Sequence, residues 1–102
     1  MGVVFSLRAV TRMQGGGLWR EAVGEVIRGQ RVKHGERLAD VARRAGLSPQ
    51  YLSEVERGLK DPSSEMLHAI TGAMGLEVPE LARQAADALE QVVANSGAQL
   101  TT

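Results

Sequence analysis

The sequence predicts an all-α fold of five helices. Three observations carry the prediction. Apolar residues recur three and four apart from Leu18 onwards, glycines punctuate these periods, and no run has the alternation of a half-buried strand. A chain of 102 residues has room for one domain with a thin core. With one Trp, one Tyr and one Phe, that core is aliphatic.

Residues 1–17 end in Gly15-Gly16-Gly17 and read as a flexible N-terminal extension, in which Met13 is an alternative translational start. The first helix runs from Leu18 to about Lys33 with Trp19, Val23, Val26 and Ile27 on one stripe, and His34-Gly35 stops it. A second, over Leu38–Ala45, turns Leu38, Val41, Ala42 and Ala45 inward and ends at Gly46. Ser48-Pro49 starts the third: the hydroxyl caps, and proline at the first helical position loses no needed donor. Leu52 and Val55 face inward, and Gly58 follows. Asp61-Pro62-Ser63-Ser64 forms a turn, with Ser63 or Ser64 capping a fourth helix that carries Met66, Leu67, Ile70, Ala73 and Met74 up to Gly75. Glu77-Val78-Pro79-Glu80 opens a fifth, whose stripe reaches Asn95-Ser96-Gly97; residues 98–102 are expected to be a disordered tail.

The chain lacks cysteine, which removes disulfides and thiolate chemistry. No apolar run reaches the roughly 20 residues of a membrane helix, and a cytoplasmic location is expected. The two histidines, His34 and His68, lack a convincing partner spacing, and no phosphate-binding glycine loop is present. No catalytic residue, metal, cofactor or small-molecule ligand is therefore expected. The net charge of zero conceals a split: residues 1–60 hold eleven Lys/Arg against six Asp/Glu, and residues 61–102 one against six. One part suits phosphates and the other suits protein.

Between residues 38 and 58 the spacing becomes specific. A helix-turn-helix needs a small residue where its helices meet, a turn glycine and two apolar residues locking the second helix. Ala42, Gly46, Leu52 and Val55 stand at those offsets. An ordinary antiparallel helix pair is the alternative. The run from Leu38 to Gly58 resembles the phage-repressor (Cro/C1, xenobiotic-response-element) helix-turn-helix family, over residues 18 to about 81. The segment Tyr51–Gly58 with Lys60-Asp61-Pro62-Ser63-Ser64-Glu65 resembles, within it, actinobacterial regulators of Clp protease genes.

The resemblance implies a lambda-repressor-like fold of five helices, divided into a helix-turn-helix DNA-binding domain at 18–76 and a C-terminal dimerisation helix at 77–97, and a structural ion pair between Arg31 and Glu56. It also implies activation of Clp protease and stress genes through RNA polymerase. The C-terminal Gln99-Leu100-Thr101-Thr102 departs from the small apolar tail by which such regulators are degraded by Clp.

On a helix seated on Leu52 and Val55, the outward positions include Pro49, Gln50, Ser53 and Glu54, expected to meet bases. Gln50 suits adenine N6 and N7, Glu54 suits cytosine N4, and Pro49 suits a thymine methyl. Tyr51 is expected to meet a phosphate with its hydroxyl while its ring packs inward, with base stacking as the alternative. Arg37, Arg43, Arg44, Arg57, Lys60, Ser63 and Ser64 are the remaining phosphate candidates, although at least one of Arg37, Arg43 and Arg44 is expected to be a plain surface arginine.

One recognition helix covers few base pairs, so a homodimer on an inverted repeat of double-stranded DNA is expected, its helices about 34 Å apart. The stripe Val78, Leu81, Ala85, Ala88, Leu89 and Val92 offers the dimer surface; alternatively it folds over its own core. A repressor, or an antitoxin-type module holding a protein through its C-terminal helix, is the competing function.

Overall fold

Each of the four turns between helices closes on a glycine with positive φ: Gly35 at 66°, Gly46 at 74°, Gly58 at 77° and Gly75 at 69°. The hydrogen bonds repeat with them. Gly46 donates its N–H to the Arg43 carbonyl at 3.1 Å and Leu47 donates to Ala42 at 2.8 Å; after the third helix, Gly58 donates to Val55 at 3.0 Å and Leu59 to Glu54 at 2.9 Å. This pair of hydrogen bonds satisfies the last carbonyls of a helix and needs a left-handed backbone conformation that only glycine adopts cheaply.

The structure is a computed structural model that describes residues 17–101, with side chains described for 17–95. The N-terminal extension up to residue 16, Met13 within it, and Thr102 lie outside the described residues. Five helices follow one another: α1 (Gly17–Lys33), α2 (Leu38–Ala45), α3 (Pro49–Glu56), α4 (Ser64–Ala73) and α5 (Val78–Thr101). No strand occurs among the described residues. Ser48 caps α3 by accepting from the Tyr51 N–H at 3.0 Å, and Ser63, rather than Ser64, caps α4 by accepting from Met66 at 3.2 Å.

Helix α1 is the spine. It packs against α3 and α5, while α2 packs against α3 and α4. Ala22, Val23, Val26 and Ile27 of α1 meet Val41, Ala42, Leu52, Val55, Ile70, Met74, Leu81 and Ala85 in one aliphatic core. Trp19, expected on the same stripe, is instead 42% exposed. It stands one turn before Val23, where no described residue seals its large ring from water. Thr71, absent from the expected core, is buried, and its hydroxyl donates back to the Leu67 carbonyl at 3.0 Å, which removes the cost of burying it.

Helix α5 departs from its expected limits and covering. Its backbone runs on to Thr101, because Asn95, Ser96 and Gly97 disfavour a helix by only about 0.5–1 kcal/mol each and no proline enforces a stop. The side chains of residues 98–102, expected as a tail, lie outside those described. Leu81, Ala85, Ala88 and Val92 are all buried within the single chain. Gln30 of α1 donates to Gln84 of α5 at 3.2 Å along this contact. These four positions belong to the chain's own core, so among the described side chains the larger apolar positions that α5 leaves open are half-buried Val78 and Leu89 and Val93, which is 55% exposed.

Candidate nucleic-acid interface

Helix α3 is anchored on its inner side and open on its outer side. Leu52 and Val55 are fully buried three residues apart, and Ala42 of α2 is buried where the two helices meet. A larger side chain at Ala42 would push α2 off α3. Pro49 and Gln50 at the start of α3 are exposed, and Ser53 and Glu54, one turn on, are half-exposed. The ring of Tyr51 packs against the core from its rim. Arg57 caps the C-terminus of α3 and is exposed, as are Lys60, Ser63 and Ser64 in the segment that leads to α4. Together these residues form one surface running from the start of α3 past its end.

The far end of α3 is fixed by charge. Arg31 donates from Nε to Glu56 Oε2 at 2.7 Å and from Nη2 to Oε1 at 3.0 Å, a two-pronged pair. Its third nitrogen, Nη1, donates to the Glu36 carbonyl at 3.0 Å, so one guanidinium joins α1, α3 and the turn before α2. The pair is sheltered, with side-chain exposures of 14% and 4%. The hydrogen bond to Glu56 holds the Arg31 guanidinium protonated even more firmly than usual. Nearby, burial pushes the Glu25 carboxyl above its ordinary range; Arg28 pulls it down, while Glu21 and Glu56 add to the rise.

The three arginines around α2 differ in what holds them. Arg44 donates to the Ala73 carbonyl at the end of α4, from Nε at 3.1 Å and Nη2 at 2.8 Å, and meets Glu36 Oε1 at 2.6 Å. It ties α2 to α4, and a phosphate would have to compete with a backbone carbonyl and a carboxylate. Arg37 and Arg43 are largely exposed and share one carboxylate: Arg37 Nε lies 3.5 Å from Asp40 Oδ2 and Arg43 Nη2 lies 3.1 Å from Oδ1.

One positioning residue escaped the sequence reading, and a second, Gly58, was legible there only as the stop after the third helix. A Cβ on Gly24, in the middle of α1, would lie 2.4 Å from the Val55 carbonyl oxygen and 2.5 Å from that of Glu56, so α1 rests directly on the last backbone turn of the recognition helix. A lone glycine inside a helical period was the available signal. Gly58 is hemmed in as well, since a Cβ there would meet Glu21 Cδ at 2.9 Å. Among the described residues no cluster of His, Cys, Asp and Glu could hold a metal ion, and no helix is long and apolar enough to cross a membrane.

A paired α2–α3 unit with a capped, outward-facing second helix, braced by α1, α4 and α5, defines a helix-turn-helix DNA-binding regulator. A helix-turn-helix family model matches residues 27–81, from the core of α1 to the first turn of α5. The chain belongs to this helix-turn-helix family, the phage-repressor type with a lambda-repressor-like fold.

Over 59 residues it is 52% identical to the transcriptional regulator ClgR of Mycobacterium tuberculosis (strain CDC 1551 / Oshkosh), across 58% of this chain and 53% of that protein. The chain thus spans about half the length of that relative. It is 38% identical over 90 residues to the HTH-type transcriptional regulator DdrOP3 of Deinococcus deserti, covering 76% of this chain and 70% of that one. The crystal structure of the clp gene regulator ClgR from Corynebacterium glutamicum superposes with a TM-score of 0.78 at 35% identity, over 81% of this chain and 88% of that one. These relatives are transcriptional regulators, not enzymes, and this chain is similar to the ClgR type in sequence and in fold.

Proposed function

We propose that the protein binds an inverted repeat as a homodimer and activates Clp protease and stress genes. The observation that carries the reading is the anchoring of α3: Leu52, Val55 and Glu56 fix its inner side, and Gln50, Ser53 and Glu54 are left outward. Gln50 takes adenine through two hydrogen bonds, Glu54 accepts from cytosine N4, and Ser53 and Pro49 fit closely against the groove floor. Arg57, Lys60 and the Tyr51 hydroxyl hold phosphates, as do Ser63 and Ser64 through the amides at the start of α4. Arg37 and Arg43 reach a backbone strand from α2, whereas the tether of Arg44 to Ala73 gives it a bracing role first.

Dimerisation brings two copies of α3 into successive major grooves. Its support is the exposed Val93, with half-buried Leu89 and Val78, on the acidic part of the chain, in a helix that packs chiefly on α1 and α4. The Clp genes are supported as targets by similarity to a clp gene regulator, and activation, through a surface that meets RNA polymerase, by the resemblance of Tyr51–Gly58 to that subgroup. Mapping of bound sites across the genome, with expression after deletion, tests the proposal. Inverted repeats upstream of Clp protease genes whose expression falls on deletion are expected. Rising expression would make the protein a repressor, and an absence of discrete sites would remove the sequence-specific reading.

A further inference from the structure

We propose that Asp40 is a built-in competitor for DNA phosphate, a positioning residue that holds Arg37 and Arg43 around one anionic point and weakens backbone binding. The inference rests on the reading of α2 and α3 as the DNA-binding unit. Arg37, Asp40 and Arg43 stand three residues apart on one face of α2, with Arg37 at its N-cap. Each carboxylate oxygen takes one arginine, Oδ2 with Arg37 Nε at 3.5 Å and Oδ1 with Arg43 Nη2 at 3.1 Å. The Arg37 and Arg43 side chains are 87% and 73% exposed, so the cluster faces solvent with its charges already converged.

Two cations converged on one anion form the arrangement that a phosphate oxygen would require. In helix-turn-helix complexes the first helix of the motif crosses the sugar–phosphate backbone, which brings such an anion to α2. Exposed pairs at this spacing are weak, so a phosphate can displace or share the carboxylate. With the Asp40 carboxylate between the two arginines, however, the cluster carries a net charge of +1 instead of +2, and the carboxylate repels the incoming phosphate. Asp40 thereby lowers sequence-independent affinity without touching a base, which favours release from random DNA.

The test is titration of the full chain with a fluorescein-labelled random-sequence duplex of about 20 base pairs, two helical turns, at several salt concentrations. Asp40→Asn is compared with wild type, with Asp40→Glu, and with Glu77→Gln, which removes the same charge from a residue that has no ion pair among the described residues. D40N is expected to bind about 3- to 10-fold tighter and to steepen the slope of log affinity against log salt by about 0.9, one further phosphate charge; D40E and E77Q stay near wild type. D40N also loses a favourable charge in the first turn of α2, so its Tm falls slightly while its affinity rises, opposite signs that a merely structural role would not give. In a R37A/R43A background the gain from D40N shrinks towards that of E77Q.

Equal effects of D40N and E77Q, or weaker binding by D40N, would overturn the inference while leaving the DNA-binding reading intact. Failure of wild type and every variant to bind any duplex would overturn both.

Discussion

The backbone of Gly24 lies against the carbonyl oxygen of Val55 with no room for a methyl group between them. An alanine in a helix interior is worth about 1 kcal/mol over glycine, and at Gly29, where nothing lies within 4 Å of the added carbon, Gly29→Ala is expected to raise Tm. Gly24→Ala meets the backbone carbonyls of both Val55 and Glu56, and overpacking of this kind costs about 1–3 kcal/mol. Thermal melts of the two variants should therefore move in opposite directions. A stabilised G24A would show that α1 and α3 do not sit this close.

Removing one partner of a sheltered ion pair leaves the other charge stranded. Arg31→Ala is expected to cost on the order of 3–5 kcal/mol and to weaken DNA binding with it, because Glu56 is held within the core edge. Arg31→Lys keeps the charge but loses the fork that meets both carboxylate oxygens, so it should fall between. Urea unfolding of the three proteins reads the order; unchanged midpoints would remove the bracing role.

Glu25 gives the protein a pH signature. Its carboxyl is raised in the folded state, chiefly by burial, so the folded chain binds more protons than the unfolded chain above the ordinary glutamate range. The destabilisation is absent below that range and sets in as pH rises through the raised value. Glu25→Gln should consequently raise Tm at neutral pH, and the gain should vanish in acid. Melts across that window check it, and a gain that persists in acid would assign the effect to packing.

Base and phosphate contacts separate by their response to sequence and salt. Gln50→Ala should weaken binding to the cognate site by about 1–3 kcal/mol while barely changing affinity for random DNA. Lys60→Ala should weaken both alike and flatten the salt slope by about 0.9. Fluorescence anisotropy with the two duplexes distinguishes them, and a uniform loss for Q50A would move that side chain from bases to backbone.

The proposed dimer rests on the outer face of α5, since its inner stripe is the chain's own core. Val93→Glu should therefore give a monomer in sedimentation velocity with the fold intact by circular dichroism. A dimeric V93E would move the interface elsewhere. A chain cut near Gly75 is unsuited to this question, because it would lose Leu81 and Ala85 from the core.

What the sequence reveals and what it conceals divides along local and tertiary lines. Ser48-Pro49 and the glycine stops at Gly46, Gly58 and Gly75 are legible because capping is settled within a few residues. The inward pair Leu52 and Val55 is legible because a helix repeats every 3.6 residues. Gly24 is not, since its importance depends on which backbone crosses it. The tether of Arg44 to the Ala73 carbonyl is hidden for the same reason, and in the sequence Arg44 is one more phosphate candidate alongside Arg37 and Arg43. The α5 stripe shows the intermediate case: periodicity identifies an apolar face without saying which helix covers it.

The three-way grip of Arg31 has a consequence for how the domain opens. One guanidinium closes at once on Glu56 at the end of α3 and on the Glu36 carbonyl at the threshold of α2. Lifting α3 away from α1 therefore also frees the turn that leads into its partner helix. Beside the core they share with α1, this grip couples the two halves of the reading head, which are expected to separate from α1 together as one cooperative unit, not helix by helix.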